Sequence, residues 1–379
     1  MNKKKILTII LIILFIGFVA ERINTNKSDV YEEQNKRLIK KNKNMLSMNL
    51  EQTAGAGDYK TVTQSSWPTE GYEFNAELSK CENGSEISWD DTKKAVIVSG
   101  NLADKCYVYF DIYQPTLAEY VKSQYTGTQG KNSLYYHDSS LANGAGDNSY
   151  RYAGASDSVN NYICLGSDEA TCPDANLFRI IGVFGDQTKV IRAKSIGNQK
   201  WDTNNSNTWS SSSLNTYLNG EYLTSLGTIA EKIATTTWKV GGRSSTYLYD
   251  VPTTAYQYEV GSSASTTTYD AKIGLMYVSD YGFAADQSGW TTKLDSYGSN
   301  SSKNWLYLGS FEWTISRNSD LASSAFFVYS TGYVNYYYVY INSFAVRPVF
   351  NLESSVKYVS GSGTIENPIR INWYTVDIL

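Results

Sequence analysis

"LFRIIGVFGDQTKVIRAKSIG", residues 177 to 197, decides how the larger part of this 379-residue chain is read. Phe178, Ile180, Ile181, Val183 and Phe184 make an apolar run, Gly185 and Asp186 supply a turn, and Val190 and Ile191 continue beyond it. That is a β-hairpin. Downstream, "NTWSSSSLNTYLNGEYLTSLG" (207 to 227) predicts a capped helix with Leu214, Tyr217, Leu218 and Leu223 inward. Ser/Thr/Gly-rich stretches with strands such as "AKIGLMYVSDYGF" follow, and the chain closes with "FAVRPVFNLESSVKYVSGSGTIENPIRI". Upstream, "PTLAEYVKSQY" marks a short helix, and "GKNSLYYHDSSLANGAGDNSYRYAGAS" (130 to 156) reads as a polar loop. The echo of "GAGD" at 55 to 58 and 144 to 147 lacks the Lys and Ser/Thr of a phosphate-binding loop, so turn chemistry accounts for it.

From Tyr59 to Tyr113 the pattern is short strands, "YKTVTQ", "YEFNAEL", "KAVIVS" and "CYVYFDIY", divided by Asn-Gly, Asp-Asp and Ser-Gly turns. A small β-sandwich over residues 57–114 fits, acting as a spacer. Residues 21–56, rich in Lys, Asn and Glu with Val30, Leu38, Ile39, Met45, Leu46, Met48 and Leu50 spaced loosely like a helical face, predict a stalk or linker. Residues 1–20 carry Lys3, Lys4 and Lys5 before an uncharged run from Ile6 to Ala20, the pattern of an export signal. Phe18 is too bulky for the cleavage-site position that a cut after Ala20 would require, which favours an uncleaved membrane-anchor helix over a cleaved signal peptide. Either outcome places the remainder outside the cytoplasm.

Four cysteines agree with export. They allow three connectivities, and the two sequence-local pairs, Cys81 with Cys106 and Cys164 with Cys172, are expected. No C-x-x-C occurs and His137 is the single histidine, so no metal site and no cofactor are expected. Asp168 and Glu169, inside the Cys164–Cys172 loop, are the residues a cation would use if one bound. With 18% charged residues and a net charge of −4 there is no basic footprint for nucleic acid. No G-x-S-x-G is present and nothing singles out a nucleophile for His137 to activate, so no enzyme is expected.

Of the aromatic residues 32 are tyrosine. "STGYVNYYYVYINSFAVRPVF" (330 to 350) concentrates them. Three adjacent tyrosines put rings on both faces of a strand, so some must meet solvent or a partner. Tyrosine offers contact area and a hydroxyl at little entropic cost, and Ser and Asn add adaptable hydrogen bonds, as in antibody paratopes. Val334 and Val339 are expected to be buried, with Arg347 anchoring the frame through a buried hydrogen-bonded pair.

The order "RIIGVF", a Trp, the "SLNTYLNGEYL" helix, "WTISR", "AFFVYSTGYV" and "FAVRPVFNL" resembles a family of exported bacterial proteins, as does "YRYAGASDSVNNYICLGSDEATCPDANLFRIIGVF" before it. The resemblance spans roughly residues 116 to 371 and implies a C-type-lectin-like fold of the formylglycine-generating-enzyme kind for residues 115–379, an α+β class. Trp305 to Phe350 further resembles the variable region of proteins diversified by retroelements, in which adenine mutagenesis rewrites Asn-type codons into Tyr, Ser, Asp, Ile, Thr, His and Phe. The resemblance implies variable, ligand-contacting positions at Asn318, Ser319, Asp320, Tyr329, Tyr333, Asn335, Tyr336, Tyr337, Tyr338, Tyr340, Asn342 and Ser343. It implies a fixed frame of Trp313, Gly332, Val334, Val339, Arg347, Pro348 and Val349, with Trp305 and Tyr307 on the rim. All four cysteines precede Pro173, which departs from formylglycine-generating enzymes, and the Glu-Pro-Asn and Trp-Asn-Asp motifs of calcium-dependent lectins are missing. The expected function is a surface-displayed or secreted binding protein for an extracellular protein or glycan. The rivals are an envelope or pilus-associated subunit that oligomerises through its tyrosines, and a prophage-encoded receptor-binding protein.

Overall fold

The computed structural model describes residues 46–63, 66–68, 70–101 and 104–372. The anchor expected over residues 1–20 and the first part of the expected stalk lie outside them. Among the described residues no helix is long and apolar enough to cross a membrane. The chain divides into two compact units, residues 1–114 and 115–379.

The first unit contains β1 (Leu46–Glu51), β2 (Tyr59–Val62), β3 (Tyr72–Cys81), β4 (Glu86–Asp90), β5 (Ala95–Ser99) and β6 (Cys106–Ile112). Four strands make a sheet in the order β2-β1-β6-β3, and β4 and β5 form a separate hairpin. Met48, Leu50, Val108 and Phe110 of the sheet share one core with Val96 of the hairpin and Trp67. Cys81 and Cys106 face each other across β3 and β6 and are bonded. β1 corrects the expected stalk: residues 46–51 are a strand, parallel to β6. Leu46, Met48 and Leu50 alternate with Ser47, Asn49 and Glu51, the two-residue period of a strand, and burying Met48 and Leu50 overrides the looser helical spacing further upstream.

The second unit is α+β. It opens with α1 (Leu117–Ser123), where Thr116 and Glu119 satisfy each other's backbone N–H groups in a capping box. Next come β7 (Leu134–His137), β8 (Ser149–Tyr152), β9 (Tyr162–Cys164), β10 (Leu177–Phe184) and β11 (Gln187–Arg192). The predicted hairpin is β10 and β11, turning at Gly185, whose φ is +61°. β10 is buried on both faces from Leu177 to Val183, which is why its sequence is nearly all apolar. The stretch 130 to 156 is not the polar loop its Asn, Gly and Asp content suggests, because "LYYH" and "SYRY" inside it pair as β7 and β8. Cys164 and Cys172 are bonded to each other.

The chain continues through β12 (Asn198–Gln199) and α2 (Ser213–Tyr217). Ser212 caps α2, which runs into a wider turn over Leu218–Tyr222; Leu214 and Leu218 are fully buried, Tyr217 and Leu223 partly. Then follow β13 (Thr236–Lys239), α3 (Ser245–Leu248), α4 (Pro252–Glu259), β14 (Thr268–Ala271), β15 (Ile273–Gly274) and α5 (Val278–Phe283). The last strands that concern the sites are β16 (Glu312–Arg317), β17 (Ser324–Val328), β18 (Val334–Tyr338), β19 (Phe344–Ala345) and β20 (Val349–Leu352). A seven-stranded sheet runs β15-β20-β11-β10-β8-β7, with β9 also on β10, and a five-stranded sheet runs β12-β19-β16-β17-β18. One continuous core joins Phe178, Ile180 and Phe350 of the first to Trp313, Phe326 and Val334 of the second.

Candidate ligand-binding surface

β18 ends the five-stranded sheet and carries the tyrosine run. It pairs antiparallel with β17, Phe326 opposite Tyr336 and Phe327 opposite Asn335. Opposed residues share a face, so Val334 and Tyr336 lie with Phe326, and Asn335 and Tyr337 with Phe327. Val334 and Val339 are buried, as the frame requires.

The frame beneath is buried and hydrogen-bonded. Arg347 and Glu312 are 3% and 1% exposed and meet through two parallel bonds, Nε to Oε1 at 2.7 Å and Nη2 to Oε2 at 2.9 Å. Nη2 also donates to the Leu306 carbonyl at 2.6 Å. Burial pushes the Glu312 carboxyl up, and the Arg347 charge opposes it. Arg347 is therefore the anchor expected of it. Trp313, wholly buried, donates to the Gln199 carbonyl at 2.9 Å and packs on Phe344.

The twelve expected contact residues do not form one surface. Asn318 is corrected to a framework residue: it is 2% exposed, its carbonyl accepts from Asn207 and its Oδ1 from the Asp320 amide. Asn335 is bound by the Tyr249 hydroxyl at 2.8 Å. Tyr336 stacks on Tyr249 and meets Phe326 edge-on, each at 5.9 Å, so most of its ring serves the core. Trp305 is not on a rim: it is buried, donates to the Tyr152 carbonyl and lies under Arg179. Tyr307 is half-buried with its hydroxyl on the Ser330 carbonyl. Tyr329 and Tyr333 stack on each other at 4.6 Å beside the turn joining β17 to β18.

The remaining seven gather around the opposite end of that hairpin. Tyr337 and Tyr338 are 39% and 47% exposed; Ser319, Asp320, Asn342 and Ser343 are exposed, and Tyr340 is half-buried against Tyr338. The Val339 amide donates to the Ser323 carbonyl and so ties the two segments together. Five residues of extended chain put this cluster about 16 Å from the Tyr333 ring pair. Sequence reasoning missed Leu321 and Ile341, which are 43% and 45% exposed in the same cluster. The signal was an isolated aliphatic residue in each of two polar segments, "SDLASS" and "YINS".

Two buried side chains of the loop before α2 position this end. Asn207 Nδ2 lies 2.7 to 2.8 Å from the carbonyls of Asn318, Leu321 and Ser324, and its amide donates to the Ala322 carbonyl. Asp202, 1% exposed, accepts from the amides of Asn204, Ser206 and Ser213, and its own amide donates to the Val339 carbonyl. Both loops carrying the exposed residues therefore start from fixed points.

The alternative residues read from sequence stand among structural contacts. His137 is fully buried, accepts from the Ala145 amide at 3.0 Å and packs between Phe283 and Trp290; burial, with Arg151 nearby, lowers its pKa well below the usual value. It is a core residue, not a loop base. In the Cys164–Cys172 loop, Arg370 takes the Ser167 and Glu169 carbonyls. Among the described residues no group of three or more His, Cys, Asp or Glu is arranged to hold a metal. No curated protein and no solved structure matches the chain. The model of one family, a domain of unknown function (DUF6273), matches residues 185–354, a span that holds the whole exposed cluster and its frame.

Proposed function

We propose that the protein is a non-enzymatic binding protein, displayed on or secreted from a bacterial cell, whose C-type-lectin-like second unit captures an extracellular protein or glycan. The contact surface is the cluster of Ser319, Asp320, Leu321, Tyr337, Tyr338, Tyr340, Ile341, Asn342 and Ser343, and its residues are diversified by a retroelement. The observation that carries this reading is the exposure of Tyr338, Leu321 and Ile341 together, above a frame closed by the Glu312–Arg347 pair. Exposed apolar and aromatic side chains set among small polar ones are a common composition of an interaction site. The two disulfides suit an oxidising compartment.

The test is capture on arrays of extracellular proteins and glycans by the wild-type chain and by a variant carrying Tyr337→Ser, Tyr338→Ser, Tyr340→Ser and Ile341→Ser. Loss of every wild-type hit with an unchanged circular dichroism spectrum is expected. Unchanged hits would overturn the assignment, and tyrosine-dependent oligomers without any hit would replace it by the structural-subunit reading.

A further inference from the structure

A concavity that shares no residue with the tyrosine cluster lies on the seven-stranded sheet and encloses about 240 Å³. Its floor is one cross-strand row: Asn351 of β20 pairs with Lys189 of β11, Lys189 with Gly182 of β10, and Gly182 with Arg151 of β8. Gly182 is required by close approach, since a Cβ there would meet the Tyr150 carbonyl oxygen at 2.2 Å. Four rings, Phe184, Trp238, Tyr256 and Tyr277, form the walls.

Two of the three cations inside are paired. Lys189 bonds Asp280, Arg151 bonds Asp147 at 2.6 Å, and Arg151 also lies 3.8 Å from Asp280. Burial opposes ionisation of Asp147, yet Arg151 and the Ser149 donors hold its pKa down at about 2. The nearby Glu259 carboxylate is turned onto the Val278 and Ser279 amides and Ser316. Lys239, half-exposed on the wall, has no ion-pair partner among the described residues, so of the cations in the lining it is the one left to meet a ligand.

The open valences have the same bias. The Thr236 hydroxyl accepts from Asn351 Nδ2 at 2.9 Å and the Tyr277 hydroxyl accepts from the Lys239 amide at 2.9 Å. Each keeps its own proton to donate. Asn351 is 8% exposed, and its Oδ1, itself buried, has no hydrogen-bond partner, a defect that a ligand donor would repair on turning the amide into the concavity. A cationic ligand is disfavoured although the walls are aromatic, because the protein's own cations occupy the ring faces. Arg151 lies 4.7 Å from the Phe184 ring centre and 5.1 Å from that of Tyr256, and Lys189 lies 4.8 Å from that of Tyr277.

We infer that this concavity binds a small organic monocarboxylate with an apolar body and one hydroxyl. The carboxylate meets Lys239, Thr236 and Tyr277, the body packs against the rings, and the hydroxyl donates to Asn351. The site is independent of the tyrosine cluster, so it stands or falls separately from the proposed function.

The test is saturation-transfer NMR and calorimetry on the full-length chain with mandelate, phenylacetate, mandelamide and phenethylamine. Mandelate is expected to bind, phenylacetate more weakly, and the amide and amine at least about tenfold more weakly than mandelate. Lys239→Gln, a change at a half-exposed side chain, should abolish the preference for the acid without altering the melting temperature. The inference is overturned if no probe binds at millimolar concentration, if the amine binds as well as the acid, or if Lys239→Gln binds mandelate like the wild type.

Discussion

Tyr336 and Tyr338 lie two residues apart on β18, on the same side of the strand, and they do different work. Tyr336 has Phe326 opposite it and Tyr249 stacked upon it, whereas Tyr338, opposite Ser324 at the strand's last position, is 47% exposed. The five-stranded sheet thus has a closed half, built on Glu312, Arg347, Trp313 and Tyr336, and an open end at Tyr338, Tyr340, Leu321 and Ile341. Residue type does not separate the two. What separates them is whether another element covers the ring, and only the closed half has such a cover.

The contrast breaks most visibly at the buried ion pair. Arg347→Met leaves the Glu312 carboxyl without its partner inside the core, and should cost about 3–5 kcal/mol, measured by urea denaturation. Acid sharpens the picture elsewhere in the same unit. Asp147 is held below its usual value of 3.8, at about 2, so its contribution is complete above pH 4 and fades as pH falls through about 2. A shift of that size is on the order of 2 kcal/mol, and Asp147→Asn should flatten the acid limb of the stability profile by that amount. Tyr336→Ala removes a partly covered ring and should cost about 2 kcal/mol, less than the ~3–5 of a fully buried aromatic. Tyr338→Ser should change stability by no more than about 0.5 kcal/mol, although it strips the open end of its most exposed ring.

Much of the fold was legible because its signals are local. The hairpin of β10 and β11, the capped helices α1 and α2 and the two short-range disulfides each follow from residues close in sequence. β1 was missed because three alternating apolar residues ended a segment dominated by Lys and Asn, and what fixes them is β6, far along the chain. β7 and β8 were missed because turn-forming residues surround two short aromatic strands.

The site was legible as a composition and not as a surface. "VNYYYVYINS" shows that rings must face both ways, but which ones stay exposed depends on Tyr249 and Asn207, neither of them near in sequence. The charged concavity left one trace that went unused: Lys189 and Arg151 interrupt otherwise apolar or aromatic strands, "TKVIR" and "SYRY". A charge inside a strand buried on both sides must be paired, and its partners come from α5 and the turn before β8.

The most direct measurement is the DNA sequence around the gene, searched for a near-copy of the segment encoding Trp305 to Phe350 beside a reverse transcriptase gene. Such a copy is expected, differing at adenines in the codons of Ser319, Asp320, Tyr337, Tyr338, Tyr340, Asn342 and Ser343 and matching at Glu312, Trp313 and Arg347. A locus without the copy, or one whose differences fall equally on Glu312, Trp313 and Arg347, would contradict a closed frame carrying an open, variable end.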